Sequence, residues 1–200
     1  MNAGIYEALL YLSRFKFTEE HIKYIKSVMS YAEPEFFDYL AEMDMSNLKI
    51  YAIQEGKFIF PKEPALVLEG PLGAVQIIES TIINLTSYPT LVCTNAVRMR
   101  VAAGRKVKMI EFGLRRGQGP VGATMGAKYA IMGTFEGTAN TLLGHLSKGE
   151  IPVYGTMAHS YILSFTSDTN LGKLRMLKGI DLVERANHYR NELDVYFLLT

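Results

Sequence analysis

At 200 residues, 48% hydrophobic and 20% charged, the chain has the length of one large or two small domains and a globular composition, which excludes disorder along its whole length. Its 21 basic and 20 acidic residues leave a net charge of +1, too weak a field to recruit nucleic acid or an anionic membrane, so any anion site must be local. The lone cysteine, Cys93, cannot form an intramolecular disulfide and points to a reducing compartment, while Glu79 interrupts the longest apolar run; a soluble, cytoplasmic protein is expected.

Ile5, Ala8, Leu9 and Leu12 share one helical face, as do Ile22, Ile25 and Met29 in a segment that Thr18 is placed to cap. Pro34 stands where a first helical turn tolerates it, and Phe36, Leu40 and Met43 continue at helical spacing. LKIYAIQ, KFIF and ALVLEG are three β-type runs, separated by Glu55-Gly56 and by the Pro61 to Pro64 turn, and they predict a meander. From Leu72 an apolar stripe of Val75, Ile78, Ile82 and Leu85 lies opposite Gln76, Ser80 and Asn84, predicting a largely enclosed helix over 72–87; a second helix, 90–103, is expected after Pro89. Beyond it the β-type runs VKMIEF and IPVY alternate with the helical stretches GATMGAKYAIM, TANTLLGHLSK and HSYILSF. Such alternation marks βαβ units, whose ligands bind at the carboxyl ends of the strands. The joints at 113–122 and 155–160 are therefore where chemistry is sought, and 167–173, SDTNLGK, reads as a mobile loop.

In the first joint, Gly117, Gly119 and Gly122 spell GxGxxG. A dinucleotide fingerprint places its first glycine at the strand end and an acid about twenty residues on. Here Gly113 to Arg116 intervene and no acid follows at that distance, so the run fits a dinucleotide turn poorly, and an unrelated nucleotide-binding α/β domain is what the GxGxxG alone would suggest. Arg115 and Arg116 suggest another use, since planar guanidinium groups take phosphate oxygens two at a time and glycines let the backbone approach a bulky anion. Taken alone, the pair is equally well explained as solvated side chains beside a flexible loop.

In the second joint, YGTMAHSYI, a helix beginning near Thr156 would be capped by it and would present its amides to an anion. His159 would fall in the first turn, where the positive helix end favours neutral imidazole, suited to nucleophilic attack or proton acceptance. A partly buried histidine bonded to a carbonyl is the competing explanation. His21, His145 and His188 lack such a setting, and no Cys or His pair has metal-ligand spacing.

EFGLRRGQGP, AKYAIMGTFEGTANTLLG and IPVYGTMAHSYILSF together resemble nicotinate phosphoribosyltransferase in its eukaryotic-like branch. GIYEALLYLSRFKFTEEHIKYI, PEFFDYL, LEGPL and TLVCTNAVRMR sit in that family's order, so the likeness runs over residues 4–166. The resemblance implies an α/β protein: residues 1–70 as part of an N-terminal α/β sandwich domain, and 71–200 as helices and the first part of an incomplete α/β barrel of the type II phosphoribosyltransferase kind. It implies condensation of nicotinate with phosphoribosyl pyrophosphate to nicotinate mononucleotide, coupled to ATP through a phosphorylated histidine, with Mg²⁺ held by acids outside this chain. His159 matches the phosphorylated histidine. Thr156 and Gly155 match the substrate-binding part of its motif, and Arg115 matches an arginine near the pyridine and the phosphoribosyl pyrophosphate. Ala139 stands where the nicotinamide-using relative has an acid, in keeping with a carboxylate substrate.

Two departures stand out: Val121 where the family usually has aspartate, and Met125 in the following helix. The family chain is also longer, so the resemblance implies a partial sequence without the N-terminal segment and the C-terminal half. A homodimer is expected for the full-length form, and the 200-residue chain is expected to be inactive alone. The alternative is a catalytically inactive short homologue serving as a dimerisation or binding partner.

Overall fold

In the computed structural model, which describes residues 1–156, the chain opens with three short helices: α1 (Ile5–Arg14), α2 (Glu19–Val28) and α3 (Pro34–Glu42). Met1–Tyr154 form one compact unit. The expected faces are realised in part: Ile5, Ala8 and Leu12 of α1 are buried but Leu9 is exposed, Ile22, Ile25 and Met29 are only half-buried, and Leu40 and Met43 turn inward with Phe37 in place of the expected Phe36. Thr18 caps α2, its hydroxyl accepting from His21 N at 3.2 Å while His21 Nδ1 accepts from Thr18 N at 3.2 Å. That reciprocal pair satisfies two amides at the helix start.

The cap of α1 comes from elsewhere. Gly4 has no side chain to offer and sits at φ +90°, so Glu55 reaches back, its Oε1 accepting from Gly4 N at 2.6 Å and Ile5 N at 3.0 Å. A carboxylate at a helix N-terminus satisfies orphan amides and meets the positive end of the dipole. Glu55→Ala is expected to cost about 1–2 kcal/mol, seen as a lower urea midpoint at unchanged slope. Glu55→Gln, which keeps an acceptor, should recover most of that loss.

Strands β1 (Lys49–Ala52) and β2 (Leu66–Glu69) pair antiparallel, with Lys49 opposite Glu69 and Ala52 opposite Leu66. Their inner side chains Ile50, Leu66 and Leu68 pack on the cluster of Ala8, Leu12, Ile78 and Ile82. The expected third strand, KFIF, does not form. Backbone groups at its start are committed to the amino terminus: Lys57 O accepts from Asn2 N at 2.8 Å and Gly56 N donates to Asn2 O at 2.9 Å. Pro61 and Pro64, which have no amide to donate, bracket the turn that follows.

A single helix, α4 (Leu72–Ala103), 32 residues long, replaces the two expected on either side of Pro89. An interior proline deletes one helical hydrogen bond and crowds the preceding turn, a penalty of about 3 kcal/mol. Here Pro89 is buried and the N-terminal segment packs against the break: Thr90 Oγ1 bonds both Ala3 N and Ala3 O at 3.2 Å. A Cβ at Gly4 would stand 2.1 Å from Leu85 O, the carbonyl whose helical donor Pro89 removes. The expected stripe of Ile78 and Ile82 is buried, but Ile77, Ile83, Leu91 and Val101 on the same helix are exposed, so α4 is less enclosed than its apolarity predicts.

After α4 the chain becomes a parallel βα repeat: β3 (Ile110–Glu111), a 3₁₀ turn (Gly113–Arg116), α5 (Gly119–Met132), β4 (Gly137–Thr138) and α6 (Thr141–Leu146). β3 pairs with β4 in parallel, and Val153 continues the sheet by a single parallel bridge to Thr138. The fold class is thus α/β. VKMIEF contributes only two paired residues and IPVY only one, and β4 had no strand expectation at all. Arg100, in the last turn of α4, holds this half together: its guanidinium donates to Gly104 O (3.1 Å), Val107 O (2.6 Å), Thr134 O (2.9 Å) and Glu136 Oε1 (2.5 Å). Glu136 Oε2 accepts from Met109 N at 2.7 Å, setting the residues before β3 beside those before β4.

α5 packs across α4 through a seam centred on Cys93 and Tyr129. Among the described residues, no helix is long and apolar enough to cross a membrane. HSYILSF and SDTNLGK lie outside the described residues.

Candidate active site

Parallel strands present their carboxyl ends to one side, and the connections that leave those ends carry the candidate residues. β3 ends at Glu111, and the next residues wind into the 3₁₀ turn whose last two positions are Arg115 and Arg116. Both arginines are exposed, and neither makes an ion pair among the described residues. The turn runs straight into α5, whose start has no side-chain cap and carries Pro120 in its first turn. Gly119 N is taken by Gly117 O and Pro120 has no amide, so the amides of Val121 and Gly122, close after two guanidinium groups with no acid partner among the described residues, make a surface suited to a multiply charged anion.

The glycines divide between packing and conformation. A Cβ on Gly117 would lie 2.6 Å from Ala123 Cβ, so this residue is small because the turn closes onto α5. Gly119 has φ +70°, a conformation that side-chain-bearing residues rarely adopt, and no atom lies within 4 Å of where its Cβ would be. Of Gly117, Gly119 and Gly122, it is Gly119 that leaves space for a ligand to approach the backbone; Gly155, at the second joint, is equally open. The Rossmann geometry, with a glycine at the strand end, is absent from this joint.

The joint is braced by polar residues that the sequence reading passed over. Glu111 Oε1 accepts from Gly113 N, and its Oε2 accepts from Thr138 Oγ1 at 2.6 Å. Thr138 Oγ1 in turn accepts from Asn140 N at 3.0 Å. Asn140 caps α6 by accepting from Leu143 N at 3.1 Å and donates through Nδ2 to Thr124 Oγ1 at 3.1 Å. Thr124 Oγ1 donates to Pro120 O at 2.8 Å. Thr138 and Asn140 are 0% and 2% exposed, so the middle of this chain of bonds is dry, while its two ends, at Gly113 and at Pro120, are open to solvent. One signal was available beforehand: an Asn before an apolar TLL run is a helix cap.

Gly155 and Thr156, at the second joint, are exposed and outside regular secondary structure. Just before them, Tyr154 N donates to Thr138 O at 2.9 Å. His159 lies outside the described residues. Among the described residues no group of three or more His, Cys, Asp or Glu could hold a metal ion. A cleft of about 1130 Å³ opens between α1, α4 and the start of α5, lined by Tyr11, Arg14, Asn84, Tyr88, Gln118 and Val121 among others; the two arginines do not line it.

The family model for the nicotinate phosphoribosyltransferase N-terminal domain matches residues 1–87. A nicotinate phosphoribosyltransferase of Caenorhabditis elegans is 44% identical over 193 residues, covering 96% of this chain and 34% of the relative. One from Dictyostelium discoideum is 40% identical over 195 residues, covering 96% and 33%. The crystal structure of human nicotinic acid phosphoribosyltransferase superposes with a TM-score of 0.74 at 38% identity, covering 82% of this chain and 32% of the human one. The chain thus spans about a third of the length of the curated relatives it matches.

Proposed function

The chain belongs to the nicotinate phosphoribosyltransferase family, and on that premise we propose that it supplies part of the site where phosphoribosyl pyrophosphate and nicotinate condense to nicotinate mononucleotide and pyrophosphate, with ATP hydrolysed alongside. The observation that carries this reading is the extent of the match: 96% coverage by the Caenorhabditis elegans relative takes in residues 111–159 wherever its ends fall.

In this reading the departing pyrophosphate leaves a cationic, oxocarbenium-like ribose, so the site must stabilise charge that grows on the leaving group. Arg115 grips diphosphate oxygens with its planar fork, and the open amides at the start of α5 add fixed partial positive charge. Thr156 and Gly155 hold the nicotinate so that its ring nitrogen faces the sugar carbon. His159 accepts the phosphoryl group that couples ATP hydrolysis to transfer. Mg²⁺ accompanies the diphosphate and takes its ligands from beyond the described residues. The same reading divides the chain near residue 70, makes the full-length form a cytoplasmic homodimer, and gives the first 70 residues a scaffolding part.

The test joins this chain to the two thirds of the Caenorhabditis elegans relative that it does not span. The chimera should form nicotinate mononucleotide from phosphoribosyl pyrophosphate, faster with ATP. His159→Ala should remove the ATP stimulation and leave slow ATP-independent transfer. A folded chimera without turnover sinks the catalytic reading, and stimulation that survives His159→Ala sinks the phosphohistidine.

A further inference from the structure

We propose that Glu111 is a positioning residue for the arginine turn: its carboxylate bridges Gly113 N and Thr138 Oγ1 and so sets the direction in which Arg115 and Arg116 leave the strand end. This rests on the reading of that turn as a diphosphate site and adds to it the group that orients the site.

An arginine gains from bidentate contact only if its backbone is held, since each bond made by a freely moving side chain loses its advantage to ordering entropy. The 3₁₀ turn that carries the pair is four residues long, and its two terminal arginines and the intervening Leu114 are exposed, so little apolar packing holds it. What holds it is polar. At its start, Glu111 takes the Gly113 amide. At its end, Gly119 N donates to Gly117 O at 2.9 Å, and Gly117 closes on Ala123.

The second oxygen of Glu111 ties the same carboxylate to Thr138. From there the bonds run through Asn140 and Thr124 to Pro120 O, in the first turn of α5. The backbone repeats the connection, with Ala139 N donating to Glu111 O at 2.8 Å. A single carboxylate therefore references the arginine turn, β4 and the α5 start to one another. Those are the parts that must keep their spacing for guanidinium groups and helix amides to meet one anion. A two-residue strand such as β3 could not impose this by its ladder alone.

Gly113 offers a way to break the bond from the other side. A Cβ at this position would stand 2.8 Å from Glu111 Oε1, the end of a flexible side chain. Gly113→Ala should therefore displace the carboxylate at little cost to folding. Glu111→Gln keeps an oxygen that accepts from Gly113 N and an amide that donates to Thr138 Oγ1.

The experiment uses the chimera described above in four forms: unaltered, Glu111→Ala, Glu111→Gln and Gly113→Ala. Amide hydrogen exchange is followed over residues 113–119, with α1 and α2 as internal controls, and phosphoribosyl pyrophosphate is titrated by calorimetry. Glu111→Ala and Gly113→Ala should each speed exchange in the turn by about tenfold or more, leave the control helices unchanged, and weaken phosphoribosyl pyrophosphate by a similar factor, the loss of one charge-assisted bond. Glu111→Gln should stay within about threefold of the unaltered chimera on both readings. Unchanged exchange in the turn for both disruptive variants overturns the positioning role whatever the ligand does. Faster exchange with undiminished affinity overturns it too, by separating the brace from binding. An unaltered chimera that takes no phosphoribosyl pyrophosphate, while exchange responds as expected, overturns instead the reading of the turn as a diphosphate site.

Discussion

Replacing Glu7 by alanine is expected to destabilise the fold by about 3 kcal/mol. Glu7 lies on α1 with its side chain 15% exposed; Oε1 accepts from Lys128 Nζ and Oε2 from the Tyr129 hydroxyl. Tyr129 is 1% exposed, so removing the carboxylate strands a buried hydroxyl as well as a half-exposed ammonium. The stranded donors set the magnitude, because an unsatisfied buried group loses its hydration and gains nothing in return. Tyr129→Phe removes only one of the two bonds and should cost about 1 kcal/mol. Urea unfolding of the three proteins at neutral pH decides it: equal midpoints for Glu7→Ala and the unaltered chain would show that α1 and α5 are not joined through this group.

The same cluster predicts a pH dependence. Burial pushes the Glu7 carboxyl upward, but the bonds from Lys128 and Tyr129 and the ammonium charge outweigh it, so its pKa ends below the usual glutamate range. Burial, followed by the neighbouring carboxylate, raises the Tyr129 phenol, which stays a neutral donor. A carboxylate whose folded pKa is depressed stabilises the protein above its unfolded pKa, and that stability is lost as pH falls through the folded value. Glu136, lowered chiefly by its bond from Met109 N and then by Arg100, has the same sign but is too exposed to contribute much. The penalty of Glu7→Gln should accordingly be full at about pH 7 and shrink towards about pH 3, as the glutamate in the unaltered chain protonates. A penalty independent of pH would mean that Glu7 acts by shape and not by charge.

Arg115→Ala, made in the chimera, is expected to lower kcat/KM by about 10²–10³, the cost of removing one preorganised donor to developing charge. Arg115→Lys should recover only part of this, because an ammonium is a point charge without the planar fork. Neither change should move the melting temperature appreciably, since the side chain is exposed and pairs with no acid among the described residues. That contrast distinguishes Arg115 from Arg100, whose guanidinium spans four backbone and side-chain acceptors and whose loss should be felt in folding. Parallel losses of activity and of stability on Arg115→Ala would place it among the structural arginines.

The place of Arg115 at a strand end was legible because two local signals coincide there, a β-type run and a glycine-rich exit. Its brace was not. Glu111 reads in sequence as the polar end of a short strand, and Thr138 and Asn140 as part of a helical stretch, because β4 is two residues long and has no room to show a period of two. Their burial arises only when β3 and β4 lie side by side.

The helices of the first half were determined by the sequence itself. Helical periodicity and capping act over three or four residues, so Ile5, Ala8 and Leu12, the Thr18–His21 box and Pro34 at the start of α3 carry their meaning locally. Tertiary structure decided the rest, wherever the partner of a backbone group stands far away in the chain. KFIF has the composition of a strand, yet the amide and carbonyl leading into it bond Asn2; Pro89 should end a helix, yet Ala3 and Gly4 pack against the break and the helix continues. In each case a backbone hydrogen bond had to be satisfied or a void filled, and only the folded chain brings the group that does so within reach.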